Sequence, residues 1–177
     1  MKLQPEKFII IFLTLLWHSM LSAQKHSTFS FELAGSGGFG SFNYEKNIFW
    51  RQKLEPILDE LASPKKIGNE VDFRVGLSFT PVDPNNGIVL IFPVMLHYHF
   101  YKDNHGFDIG LGQTLSMTTK GNFFIRMPFS AGYRFQPLDK NYYLRFSYTP
   151  IMSYLLDLQY QHWAGITWGY KLKKHEK

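Results

Sequence analysis

A two-residue alternation of side-chain character recurs along most of this chain and limits what it can fold into. In FDIGLGQTLSM, residues 107–117, Phe107, Ile109, Leu111, Leu115 and Met117 share one parity, with Gln113 the exception. Asp108, Gly110, Gly112, Thr114 and Ser116 share the other. A β-strand points successive side chains to opposite faces, so one face is greasy and the other small and polar. The pattern repeats in VDFRVGLSFT (71–80), FFIRMPFSAGYRF (123–135), YYLRFSYTPIMSY (142–154) and the segment 161–172. Residues 88–101 alternate less cleanly, because Val89 and Ile91 fall on the otherwise polar side. Helical spacing explains none of these runs as well.

Turn signals separate the runs: VDPNNG at 82–87, KDNHG at 102–106, TTKGN at 118–122 and PLDK at 137–140. The segments are about 10–14 residues long, against a usual five or six in soluble sheets. Tilted at about 45°, ten such residues cross the apolar thickness of a bilayer. A soluble sandwich turns its large apolar face inward and leaves the other face bulky and charged. Here the minor face is rich in Gly, Ser and Thr with isolated charges, which suits the crowded lumen of a narrow barrel. Aromatic residues gather near segment ends, as in an interfacial girdle: Tyr98, Phe100 and Phe107, then Tyr133, Phe135 and Tyr142, then Trp168 and Tyr170. The greasy face is therefore expected to point outward, into lipid.

Composition narrows the alternatives. The 177 residues suffice for one domain. The chain is 45% hydrophobic, yet its mean hydropathy of −0.19 excludes a bundle of membrane helices. A net charge of +5 comes from scattered Lys and Arg and a basic C-terminal tail, so no nucleic-acid partner is expected. Without cysteine the chain has neither disulfides nor a lipid-modified cysteine anchor. The start, MKLQPEKFIIIFLTLLWHSMLSAQ, has the charged, apolar and small-residue order of a secretory leader. Residues 1–23 are expected to be a cleaved signal peptide, and 24–177 an exported barrel domain. A single membrane anchor is the alternative, but the apolar run Phe8–Trp17 is short for a span.

The stretches AGSGGFGSFNYEKN, GLGQT, SAGYRFQP, YYLRFSYTPIMS and HWAGITWGYKL resemble the small outer-membrane β-barrel proteins of Bacteroidota. The likeness spans most of residues 29–172 and carries no reaction. It implies an eight-stranded barrel with both ends in the periplasm, inserted by the barrel-assembly machinery among outer-membrane lipid. The chain departs from that group at its end, where Leu172 and KKHEK stand in place of a terminal aromatic.

Six strands are clear, and with both ends on one side the count is even. Segment 29–49 then supplies two strands. Its apolar residues change parity, from Phe29, Phe31 and Leu33 to Phe42, Tyr44 and Ile48, across GSGG at 35–38. A tight turn gives that flip, and a bulge is the alternative. The fold class expected is an all-β antiparallel membrane-type barrel of eight strands. Leu54, Ile57, Leu58 and Leu61 add a short amphipathic helix in the 51–69 connection.

The inward parity collects Glu32, Glu45, Asp72 and Asp108 with Arg74, Arg126, Arg134, Arg145 and Lys171. In a narrow lumen such charges must pair, which reads as a structural ion-pair network; a selective pore is the sharper alternative. A symmetric KDNHG turn sets His99 opposite Asp108 and His97 opposite Gly110, and a symmetric QPLDKN turn sets Arg134 opposite Tyr143 and Arg145 opposite Gly132. His97, His99 and Asp108 lack an evident further neutral ligand, so no metal and no other cofactor is expected. His162 and Ser153 lie near one rim on opposite parities without a placed acid, so no catalytic residue is assigned and no enzyme is expected. The function expected is an integral outer-membrane barrel, structural or a very narrow conduit. A secreted soluble barrel holding an apolar ligand is the alternative from another class.

Overall fold

The computed structural model describes residues 26–54, 66–83, 87–137, 140–153 and 159–173. The predicted leader lies outside them. The strands are β1 (His26–Leu33), β2 (Gly40–Leu54), β3 (Lys66–Asp83), β4 (Gly87–Lys102) and β5 (His105–Thr118), followed by β6 (Phe123–Phe135), β7 (Tyr142–Tyr148), β8 (Ile151–Ser153), β9 (Gln159–Gln161) and β10 (Ala164–Lys173). Every pairing is antiparallel. Neighbours in sequence pair from β1 to β7, β10 pairs with β7, and β1 pairs with β10, which closes the sheet into an eight-stranded ring. A closed ring leaves no strand edge to template aggregation.

Segment 29–49 does supply two strands. They meet at a turn over residues 34–39, where Gly35 and Gly38 take φ of +92° and +81°. L-residues rarely adopt that region, so glycine fits there. The connection is shorter than the expected 51–69, and the short helix expected within it, over Ile57, Leu58 and Leu61, lies outside the described residues. Arg51 through Leu54 instead pair with Asn69 through Lys66, because extending the β2–β3 ladder satisfies their backbone groups directly. Residues 55–65 lie outside the described residues.

Two irregularities re-aim side chains. The β2–β3 register shifts between Asn47 and Phe49, so Asn47 is buried and Phe49 is exposed. A bulge flips the parity beyond it, which the alternation of Tyr44 and Ile48 does not signal. At Thr149 and Pro150 the course of β7 is interrupted, and β8 continues along β6 while pairing antiparallel with β9. Proline lacks the ladder donor, which explains a break there.

The outward face is apolar. Phe29, Phe42, Leu96, Ile109, Phe146 and Ile166 are each about half exposed or more. The aromatics are contiguous around the wall: Phe100 pairs with Phe107, and Phe107 with Tyr133. In water such a surface would far exceed the apolar patches that monomers tolerate. The interior is the reverse. Among the described residues the buried hydrophobics are Ile91, Met95, Tyr143 and Ile151, and the rest of the interior is dominated by polar and charged side chains. That inversion answers the orientation of the alternating faces: the barrel is of the membrane type.

Candidate functional site

The interior is a continuous chain of charge contacts that crosses the lumen. It starts beside the β1–β2 turn, where Glu32 accepts from Arg74 Nη2 at 2.6 Å and from Ser36 Oγ at 3.1 Å. Arg74 Nε lies 3.9 Å from Glu45, and Glu45 lies 3.4 Å from Arg145. The hydroxyl of Tyr143 donates to Glu45 at 2.7 Å. Arg145 reaches Asp108 at 3.4 Å, across from β7 to β5. Asp108 is completely buried and also contacts His97 at 3.0 Å and His99.

From there the chain runs toward the end that holds both barrel termini. His99 Nε2 lies 3.0 Å from Asp72, which also accepts from Asn47 at 2.8 Å. Arg134 lies 3.7 Å from Asp72 and covers the Tyr143 ring, with its guanidinium carbon 3.8 Å from the centroid. Glu70 ends the chain, 3.9 Å from both Lys171 and His26. Removing ions from water is expensive, and multiple short contacts to opposite charges are what offset it.

The strand geometry explains why these groups meet. Small inward residues leave room for large ones: a Cβ on Gly169 would stand 2.1 Å from a Tyr143 ring carbon, and one on Gly110 would stand 2.6 Å from His97. His99 is opposite Asp108 and His97 is opposite Gly110, in the register of a symmetric turn after Lys102. The β6–β7 register differs from the symmetric expectation. Arg134 pairs with Arg145, and Gly132 with Ser147. The two arginines are thus direct cross-strand neighbours, separated by different acids and by the Tyr143 ring.

Of the predicted luminal ions, Glu32, Glu45, Asp72, Arg74, Asp108, Arg134, Arg145 and Lys171 lie along this chain. Arg126 does not. It is inward-facing opposite Thr114, but it makes no hydrogen bond or ion pair with another described residue. Among the luminal acids described, Glu32 beside the β1–β2 turn is taken up by Arg74, and the others lie further toward the end that holds the barrel termini. Glu70 stands one residue before the alternating run 71–80 and so falls outside the expected set, whereas the strand extends back to Lys66. Its even parity with Asp72 and Arg74 was the available signal.

The predicted absence of a metal rested on His97, His99 and Asp108. The cluster whose ligand atoms come closest together is a different one, His26, Glu70 and Asp72, all within 4.8 Å of one another. Lys171 and Arg134 already stand beside its two carboxylates.

At the other rim, His162 is exposed, bonded through Nδ1 to the Tyr148 hydroxyl and set edge-on to Tyr160, with ring centroids 4.6 Å apart.

No family model matches the chain, and no curated protein matches it. Among solved structures it is similar to the crystal structure of the outer membrane enzyme PagL, with a TM-score of 0.34 and 10% identity. The match covers 84% of this chain and 99% of that one. The expectation that this chain is no enzyme is corrected by this finding, since the matched barrel is itself an enzyme. At that similarity the match transfers neither activity nor residues.

Proposed function

We propose that this chain is an integral outer-membrane β-barrel whose lumen is plugged by its own side chains. Both termini of the barrel would face the periplasm, and residues 1–23 would be removed on export. The observation that carries the reading is the inversion of the two faces. Phe42 on the wall is 68% exposed, whereas Arg74 and Arg145 in the lumen are each 1% exposed. Lipid accommodates the first face, and only a closed, water-poor interior with matched charges accommodates the second.

A ring of eight strands leaves an interior that side chains fill. The recess beside Glu70, His99 and Arg134 holds only about 10 Å³, room for about one water. Arg74, Arg145 and Tyr143 fill the middle of the lumen and are each at most 1% exposed, which does not favour an open pore. A soluble barrel holding an apolar ligand in its middle fits poorly too, because Glu45, Asp108 and Arg145 occupy that space.

The test is refolding into lipid vesicles, followed by an unheated and a heated gel lane and by planar-bilayer recording. The reading expects a heat-modifiable band in the membrane pellet and almost no steady conductance. A protein that stays in the supernatant and folds without lipid or detergent would refute the membrane assignment. Large, steady, ion-selective channels would refute the plug.

A further inference from the structure

Arg126, which has no ion-pair partner among the described residues, lines a cavity. At the end of the barrel opposite the termini, a recess of about 250 Å³ opens between the β1–β2 turn and strands β3 to β6. Its apolar side is formed by Val89, Ile91, Phe39 and Trp163, and its polar side includes Arg126 and Ser116. Val89 and Ile91 are the two residues that interrupt the polar parity of β4, and here they line one wall. Phe39 and Trp163 meet edge to face at 5.6 Å and 82°, which fixes the aromatic wall.

Two further observations point to a ligand. Ser116 is 2% exposed, and its Oγ has no hydrogen-bond partner, as is also true of Thr80 Oγ1 beside it. Buried hydroxyls in native proteins are normally satisfied. Arg126 has a fixed positive charge and five donors, with no acid within the described residues to take them. Every other inward arginine has an acidic neighbour.

We propose that this recess binds a small amphipathic monocarboxylate, with the carboxylate on Arg126 and the apolar body against Ile91, Phe39 and Trp163. Arg126 brings one cation with no acidic partner among the described residues, so a monoanion fits better than a phosphate dianion. The size fits as well. An apolar cavity of about 150 Å³ holds one benzene, so 250 Å³ holds a ring with a short acid arm. Ser116, on the strand next to Arg126, and Thr80, elsewhere in the lining, supply further hydroxyl donors. The assignment rests on the barrel reading above, since it needs this end of the barrel to be open to solvent.

The test uses the full mature chain refolded in lipid nanodiscs, with heat-modifiable mobility checked for each protein first. 4-Phenylbutyrate is titrated by calorimetry and by Trp163 fluorescence, with empty nanodiscs as the blank. Saturable one-to-one binding is expected, weakened at least tenfold when 4-phenylbutyramide replaces the acid and at least tenfold by Arg126→Gln. The amide comparison on the unaltered chain keeps the test decisive if Arg126→Gln does not fold. Absence of saturable binding to a folded barrel would overturn the proposal without touching the barrel reading. Equal binding of acid and amide would overturn it too, and so would inorganic phosphate binding as tightly as the phenyl acid.

Discussion

Arg134 sits over the ring of Tyr143, its guanidinium carbon 3.8 Å from the ring centroid, while the hydroxyl of the same tyrosine donates to Glu45 at 2.7 Å. One completely buried side chain thus joins a cation from its neighbouring strand to an acid from across the lumen. The ring face attracts the guanidinium through its quadrupole, and the hydroxyl gives Glu45 a charge-assisted bond.

Tyr143 therefore has two separable contributions. Tyr143→Phe keeps the ring and loses the hydrogen bond to a charged acceptor, with an expected loss of about 1.5–3 kcal/mol. Tyr143→Leu removes the aromatic face as well and is expected to cost more. Urea titrations of both variants in lipid vesicles measure the order, and equal losses would show that the ring contact contributes nothing.

The Glu32–Arg74 pair, at 2.6 Å and almost wholly buried, is the shortest arginine–carboxylate contact in the lumen. Arg74→Leu strands a buried carboxylate and is expected to cost about 3–5 kcal/mol. Combining it with Glu32→Leu removes the stranded charge and is expected to recover much of that loss. A double-mutant cycle on folding stability gives the coupling directly.

The wall and the lumen should respond differently to added charge. Ile109→Arg and Phe146→Arg place a cation at exposed wall positions and are expected to cost roughly 2–4 kcal/mol near the bilayer midplane. If both folded with unchanged stability in lipid, the outward assignment of this parity would be wrong.

Gly169 tests the packing of the lumen. An added methyl would overlap the Tyr143 ring at 2.1 Å, with no space for the ring to move away from Arg134 and Glu45. Gly169→Ala is expected to reduce the yield of heat-modifiable barrel sharply. Gly169→Ala combined with Tyr143→Ala relieves the overlap, and partial recovery of the folded band is the expected outcome.

Much of the architecture can be read from parity because a strand has only two faces. Phe107, Ile109 and Leu111 are outward, and Asp108 and Thr114 are inward, as their alternation requires. The change of phase between Leu33 and Phe42 likewise locates the first hairpin. Local rules fail where one residue is inserted or one donor is missing. The Asn47/Phe49 shift and the interruption at Pro150 each change the course of a strand without disturbing the surrounding composition.

The sequence by itself determined which residues enter the lumen, because burial follows from a period of two along each strand. It did not determine which of them touch. Glu45 and Tyr143 are 98 positions apart, and Arg145 reaches Glu45 over 100, contacts made across a closed ring between strands that are not neighbours. Their meeting depends on strand stagger and ring closure, which no single strand encodes. The same stagger places Arg126 next to Val89 and Ile91, without an ion pair to any acid among the described residues. The charge is written in the sequence, and its isolation is a property of the folded barrel.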